Sequence, residues 1–230
     1  MMTGGLGLIV AQAVMVLIPL ALSLSVHECA HAWAAKRLGD DTAERAGRLT
    51  LNPLVHADPV GTFALPFFIL VVQGGLASVS LPLFGWAKPT PVDASRFTRK
   101  ISARKGSMWV ALAGPVSNLL LACVCGLCMV ALMRAPLTQS QAEPLIDMCL
   151  RMVFINVGLS IFNLLPLHPL DGETVMAGLL PYPMAQRFER FSAQYGTLLL
   201  WAVVLLGRPM LSVPIVYVAR GVLRVVTLLA

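Results

Sequence analysis

Long apolar runs, rather than apolar/polar alternation, organise this sequence. They fall at about 6–35, 104–133, 145–166, 188–206 and 209–229, each near the ~20 residues that cross a hydrocarbon core as a helix. Gly207-Arg208-Pro209 separates the last two as a turn. A further apolar stretch, 59–86, differs from these. It opens after Asp58-Pro59, a helix-start signature, breaks at Gly74-Gly75, and continues to Trp86 with small, polar and apolar residues interleaved. The pattern predicts an all-α polytopic membrane protein with about five transmembrane helices, and one stretch that needs separate treatment.

Composition fixes the class, and charge fixes the threading. The 230 residues are 57% hydrophobic and 12% charged, against about 45–50% and about 25% for an ordinary soluble domain. So little charge cannot cover a water-facing surface, which excludes a soluble globular domain, a disordered chain and a nucleic-acid binder. The net charge of +6 is assigned instead to the inner face of a membrane. The segments flanking 59–86 carry Lys36, Arg37, Arg45, Arg48, Lys88, Arg96, Arg99, Lys100, Arg104 and Lys105. A single crossing would divide these charges between the two sides, whereas a stretch that enters and returns keeps them together. The lengths allow a return: about 15 helical residues reach ~22 Å, and about 11 extended residues span ~36 Å.

The threading is therefore a re-entrant helix/β element opening from the cytoplasmic side, with the N-terminus outside and the C-terminus in the cytoplasm. Arg187, Arg190, Arg220 and Arg224 join the inner charges; Arg134, Arg151 and Arg208 lie toward the outer ends. Bare backbone at membrane depth must line protein or a wet cavity, so a cavity is expected beside the element. The five cysteines, an odd number in apolar surroundings, are read as small apolar side chains, Cys123, Cys125 and Cys128 included. The N-terminal run is longer than the core of a secretory signal and has no Lys or Arg before it.

Ionisable residues inside a span are functional candidates. The first span carries His27-Glu28-Cys29-Ala30-His31, an H-E-x-x-H. Residues four apart share a helix face, so the two imidazoles can grip one zinc ion while Glu28 serves as general base to its water. Catalytic zinc needs a third protein ligand and an open position. Asp171 is the candidate. It follows Asn163-Leu164-Leu165-Pro166-Leu167-His168-Pro169-Leu170 and precedes Gly172, where two prolines predict an unwound segment. The first and third spans both run outside to inside in this threading. His27, His31 and Asp171 are thus expected at a similar depth.

These residues resemble the site-2 protease family of intramembrane zinc metalloproteases. His27 to His31 matches its H-E-x-x-H, and Asn163 to Gly172 its N-x-x-P-x-x-x-L-D-G. Asn52-Pro53-Leu54-Val55-His56-Ala57-Asp58-Pro59-Val60-Gly61, Gly85-Trp86-Ala87-Lys88-Pro89-Thr90-Pro91-Val92 and Ala113-Gly114-Pro115-Val116-Ser117-Asn118 resemble three further motifs of small prokaryotic members. The resemblance implies a multi-pass protein of a prokaryotic cell membrane whose active site faces the cytoplasm. It implies one Zn2+ held by His27, His31 and Asp171, Glu28 as base, and hydrolysis of a peptide bond within a transmembrane segment of a protein substrate. Asn163 and Asn118 are candidates to support the substrate or oxyanion. The strand near 76–90 is expected to pair with unwound substrate. His168 stands where many members have proline and is a candidate to tune or join the metal site; His56 is expected in a loop role. The chain reads as one membrane-embedded metalloprotease domain over 1–230, with a catalytic core at about 6–182, C-terminal helices at about 188–229, and no PDZ or CBS domain.

Two readings of other classes remain at this point. A metal-ion transporter would spread acidic or His residues along a path, whereas Glu28 and Asp171 cluster at one end. An inert scaffold with structural zinc would use a closed site, usually of four Cys or His ligands.

Overall fold

The computed structural model describes residues 3–75, 85–98 and 100–229. Among them the fold is helical: α1 (Thr3–Arg37), two single turns α2 (Thr42–Arg45) and α3 (Pro53–His56), a π-helical turn (Pro59–Ala64) leading into α4 (Leu65–Gly75), a 3-10 turn (Ala94–Arg96), α5 (Ala103–Arg134), α6 (Gln139–Asn163), α7 (Asp171–Leu179), α8 (Tyr182–Leu206) and α9 (Arg208–Leu229). The all-α membrane architecture expected from the apolar runs is what forms.

Four of these helices are long and apolar enough to cross a membrane: Ala13–Arg37, Ala103–Arg134, Gln139–Asn163 and Met210–Leu228. The fifth expected crossing, 188–206, folds as part of α8 but does not reach that standard. Glu189, Arg190 and Gln194 occupy its first half, leaving a short apolar remainder. α6 begins earlier than the expected 145. There the Gln141 side chain accepts from Thr138 N–H at 3.1 Å, a capping interaction that starts the helix ahead of Pro144. α6 ends at Asn163, and the residues before Asp171 are unwound, as the prolines require.

Helices α1, α5 and α6 form the body that holds the site. Ala122, Val153, Val157 and Ala219 are fully buried where α5, α6 and α9 meet. Small residues at such crossings let backbones approach, which is how helices pack in lipid. A buried hydrogen bond, Asn156 Nδ2 to Ser23 Oγ at 2.9 Å, ties α6 to α1.

The stretch expected to be re-entrant is described in part. α4 and the extended residues 85–92 lie within the described residues, and the expected strand positions 76–84 lie outside them. Residues 85–90 form an extended strap joined to the segment before α4 by one antiparallel bridge, Ala57 to Ala87. Trp86 N–H donates to Gly61 C=O at 3.2 Å and Lys88 N–H to His56 C=O at 2.8 Å. Asp58 caps the π-helical turn, accepting from Val60 and Gly61 N–H at 2.9 and 2.7 Å. Gly61 leaves room for the Trp86 indole, which a Cβ would overlap.

The strap's far end is tied to α1 through Asp40. This carboxylate is fully buried, accepts from Thr42 N–H and hydroxyl at 3.0 and 2.5 Å, and accepts from Asp93 N–H at 2.7 Å. Burial pushes its carboxyl up, but the Thr42 and Asp93 donors and the Arg96 charge outweigh that and hold it below the usual range. A carboxylate depressed in the folded state stabilises above its unfolded pKa, and that stability is lost as pH falls through the folded value. Asp40→Asn is therefore expected to cost about 1.5–3 kcal/mol near neutral pH. The gap from wild type in thermal melts should shrink below about pH 4; a gap that stayed constant with pH would show that the charge is not what the donors recognise.

Candidate active site

His27 and His31 project from one face of α1 toward Asp171 at the first turn of α7. His27 Nε2 lies 3.0 Å from Asp171 Oδ2, and His31 Nε2 lies 3.4 Å from Oδ1. One ligand atom from each residue can be chosen so that all three fall within 4.8 Å of one another. His27, His31 and Asp171, expected at a similar depth, thus come together in the structure.

The outer nitrogens are already committed. His31 Nδ1–H donates to the Val110 carbonyl at 2.7 Å, and His27 Nδ1–H donates to Asn118 Oδ1 at 3.1 Å. In the neutral tautomer both Nε2 atoms then carry lone pairs aimed at a carboxylate. Asp171 Oδ2 is buried and accepts no hydrogen bond. Two imidazole nitrogens and a carboxylate facing one another are a donor set that suits zinc. The ring-to-α5 bonds are the outer supports that metal-binding histidines use.

Glu28 lines the same cavity, of about 630 Å³, whose walls include Leu24, Gly85 to Ala87, Pro89, Thr90, Phe162, Asn163 and Leu170. Its Oε2 accepts from Thr90 N–H at 2.8 Å, and its own carbonyl accepts from the Thr90 hydroxyl at 3.1 Å.

The remaining candidates separate. Asn163 lines the cavity, with Nδ2 donating to Leu159 C=O at 2.9 Å. Asn118 is fully buried behind His27, on the ring's outer side. His168 is exposed, its Nδ1 lying 2.8 Å from Glu173 Oε2, and it is outside the His27–His31–Asp171 group. His56, expected in a loop, is instead the buried last residue of the single turn α3, where Nε2–H donates to Thr50 C=O at 2.8 Å. Sequence reasoning passed over three positions: the Thr90 amide, the Val110 carbonyl and Gly114, whose Cα faces both rings. Thr90 and Gly114 sit inside quoted motifs. A backbone carbonyl such as that of Val110 carries no sequence signal.

A helical membrane body with a His-His-Asp cluster and a glutamate on one cavity defines a membrane-embedded metalloprotease. The sequence pattern of peptidase family M50 matches residues 15–143 and 128–203, and the chain belongs to that family, the site-2 proteases. Among its relatives, YwhC of Bacillus subtilis, provisionally named a zinc metalloprotease, is 36% identical over 83% of this chain and 86% of its own length. The similarly named Rip2 proteins of Mycolicibacterium smegmatis and Mycobacterium tuberculosis are 34% and 30% identical, over 83% and 86% of this chain and 66% and 69% of theirs. No solved structure matches the chain. The enzyme is a zinc metalloprotease.

Proposed function

We propose that the enzyme hydrolyses a peptide bond within or near a transmembrane segment of a membrane protein, with His27, His31 and Asp171 as the zinc ligands and Glu28 as the base. The observation that supports this most directly is the convergence of three ligand atoms within 4.8 Å beside a glutamate on one cavity. Zinc, when bound, polarises the scissile carbonyl and makes its water acidic enough to lose a proton near neutral pH. Glu28 takes that proton during attack on the carbonyl and returns it to the leaving amine. Asp171 and the two Nε2 atoms hold the metal, while Asn118 and the Val110 carbonyl fix the rings.

A substrate helix hides its carbonyls in i to i−4 bonds, so it must unwind to be cut. The extended strap beside the cavity offers a backbone for the unwound segment to join as an added strand. A site facing the cytoplasm is the reading that the Lys/Arg-rich segments around the strap support under the positive-inside rule. The transporter reading is disfavoured, because His27, Glu28, His31 and Asp171 gather at one cavity instead of marking a path.

The test is cleavage by the purified protein of a designed single-span substrate with a glycine-rich stretch in its span, with products mapped by mass. Cuts within or beside the span are expected, lost on metal chelation and restored by about one equivalent of zinc. Cleavage that survives complete zinc removal, or cuts confined to soluble tails, would overturn the proposal.

A further inference from the structure

The strap over Glu28 is a hydrogen-bond ladder with an unusual third rung. Alternate residues of an extended chain present their backbone groups on the same edge. Along that edge Trp86 N–H is held by Gly61 C=O, Lys88 N–H by His56 C=O, and Thr90 N–H by Glu28 Oε2. The glutamate carboxylate thus occupies the place of the next carbonyl on a facing strand. The Thr90 hydroxyl clips the same residue by its main-chain carbonyl. Three residues on, Asp93 N–H is fixed on buried Asp40, just beyond the end of the helix that carries Glu28. The strap is therefore anchored on both sides of Thr90.

We propose that Thr90, acting through its backbone N–H, is a positioning residue that fixes the Glu28 carboxylate, with Asp40 as the remote anchor of the strap. A glutamate on a helix has several rotatable bonds, and a free carboxylate would sample many orientations. One oxygen held by the strap leaves the other to face the reacting water. The alignment costs nothing at the moment of reaction, because the strap is built into the fold. This rests on Glu28 as the base. It makes the strap part of the catalytic geometry as well as a docking edge, so its integrity should appear in kcat.

Position 90 lies between Pro89 and Pro91, and proline there deletes the N–H together with the hydroxyl, whose separate loss Thr90→Val reports. The assay is cleavage of the designed single-span substrate, with zinc content measured on each variant. Thr90→Ser and Thr90→Val keep the amide and are expected to retain zinc and to lose much less kcat than Thr90→Pro. Thr90→Pro is expected to lower kcat at least about tenfold, with KM within about threefold and zinc retained. Asp40→Ala releases the far anchor without touching the cavity. It should also lower kcat at unchanged KM, and it decides the matter if Thr90→Pro does not fold and load zinc. Wild-type kcat in the deciding variant, or a loss confined to KM, overturns the proposal. An inactive Glu28→Gln beside an active Thr90→Pro would sink this inference alone. A fully active Glu28→Gln would sink the assignment of the base itself.

Discussion

Asp171→Asn and Glu28→Gln are each expected to abolish cleavage, with opposite zinc contents. Asp171 contributes charge as well as position: its oxygens face two imidazole nitrogens whose partners Nδ1 are spent on Val110 and Asn118. Asn keeps the shape and removes the negative charge that balances the cation. The zinc content of Asp171→Asn should therefore fall from about one per chain to a small fraction, and cleavage by more than the roughly 10–100-fold typical of losing an outer partner. Glu28 stands outside the His27–His31–Asp171 group, and its carboxylate is held by Thr90. Glu28→Gln should keep zinc while cleavage falls about 10²–10⁴-fold, the range for a general base.

His168→Ala is the comparison for Asp171. Its imidazole is 47% exposed and paired with Glu173, so zinc and most of the activity should survive. Metal analysis and cleavage on the same preparations check all three. If Asp171→Asn holds a full equivalent of zinc, or His168→Ala loses it, the third ligand has been misassigned.

The legibility of this protein in its sequence follows from where each kind of information is stored. The spans were readable because hydropathy acts over about twenty residues, and α1, α5, α6 and α9 obey it. α8 departs because Glu189, Arg190 and Gln194 lie on a helix that packs against the metal-site loop: Ser192 Oγ accepts from His168 N–H at 3.1 Å, and a Cβ on Gly196 would meet His168. A sequence window weighs such polar positions with the apolar ones and cannot see what each one faces. The His27–His31–Asp171 group was readable because H-E-x-x-H places two histidines on one face by helical geometry alone, and counting Lys and Arg set the expected depth of Asp171. What stayed hidden is carried by main-chain atoms. The Val110 carbonyl and the Thr90 amide would be supplied by almost any residue at those positions. Asn118, which the resemblance makes a candidate to support the substrate or oxyanion, is buried behind His27, a fact of α1–α5 packing that no local pattern encodes.

Gly114→Ala is expected to disable the enzyme without altering a ligand, a base or a cavity wall. Gly114 lies on α5 where that helix crosses α1. A Cβ there would fall 2.5 Å from both Nε2 and Cε1 of His31 and 2.6 Å from Cε1 of His27. These are the metal-facing edges of the two rings. Neither ring can retreat freely, since its Nδ1 is tied to α5 itself, at Val110 and Asn118. Relief requires breaking one of those bonds or separating α1 from α5, and either outcome moves an Nε2 off its position. Zinc affinity is expected to fall at least about 10–100-fold, the loss seen when outer supports are removed, and cleavage with it. Gly126→Ala on the same helix is the comparison. There the added Cβ meets Val226 at 3.4 Å, an ordinary contact, and alanine gains up to about 1 kcal/mol of helix propensity over glycine. Wild-type zinc content and cleavage are expected for Gly126→Ala. Competition with a zinc-binding dye on both purified variants measures the difference, and equal affinities would show that the α1–α5 crossing yields at Gly114 without disturbing the rings.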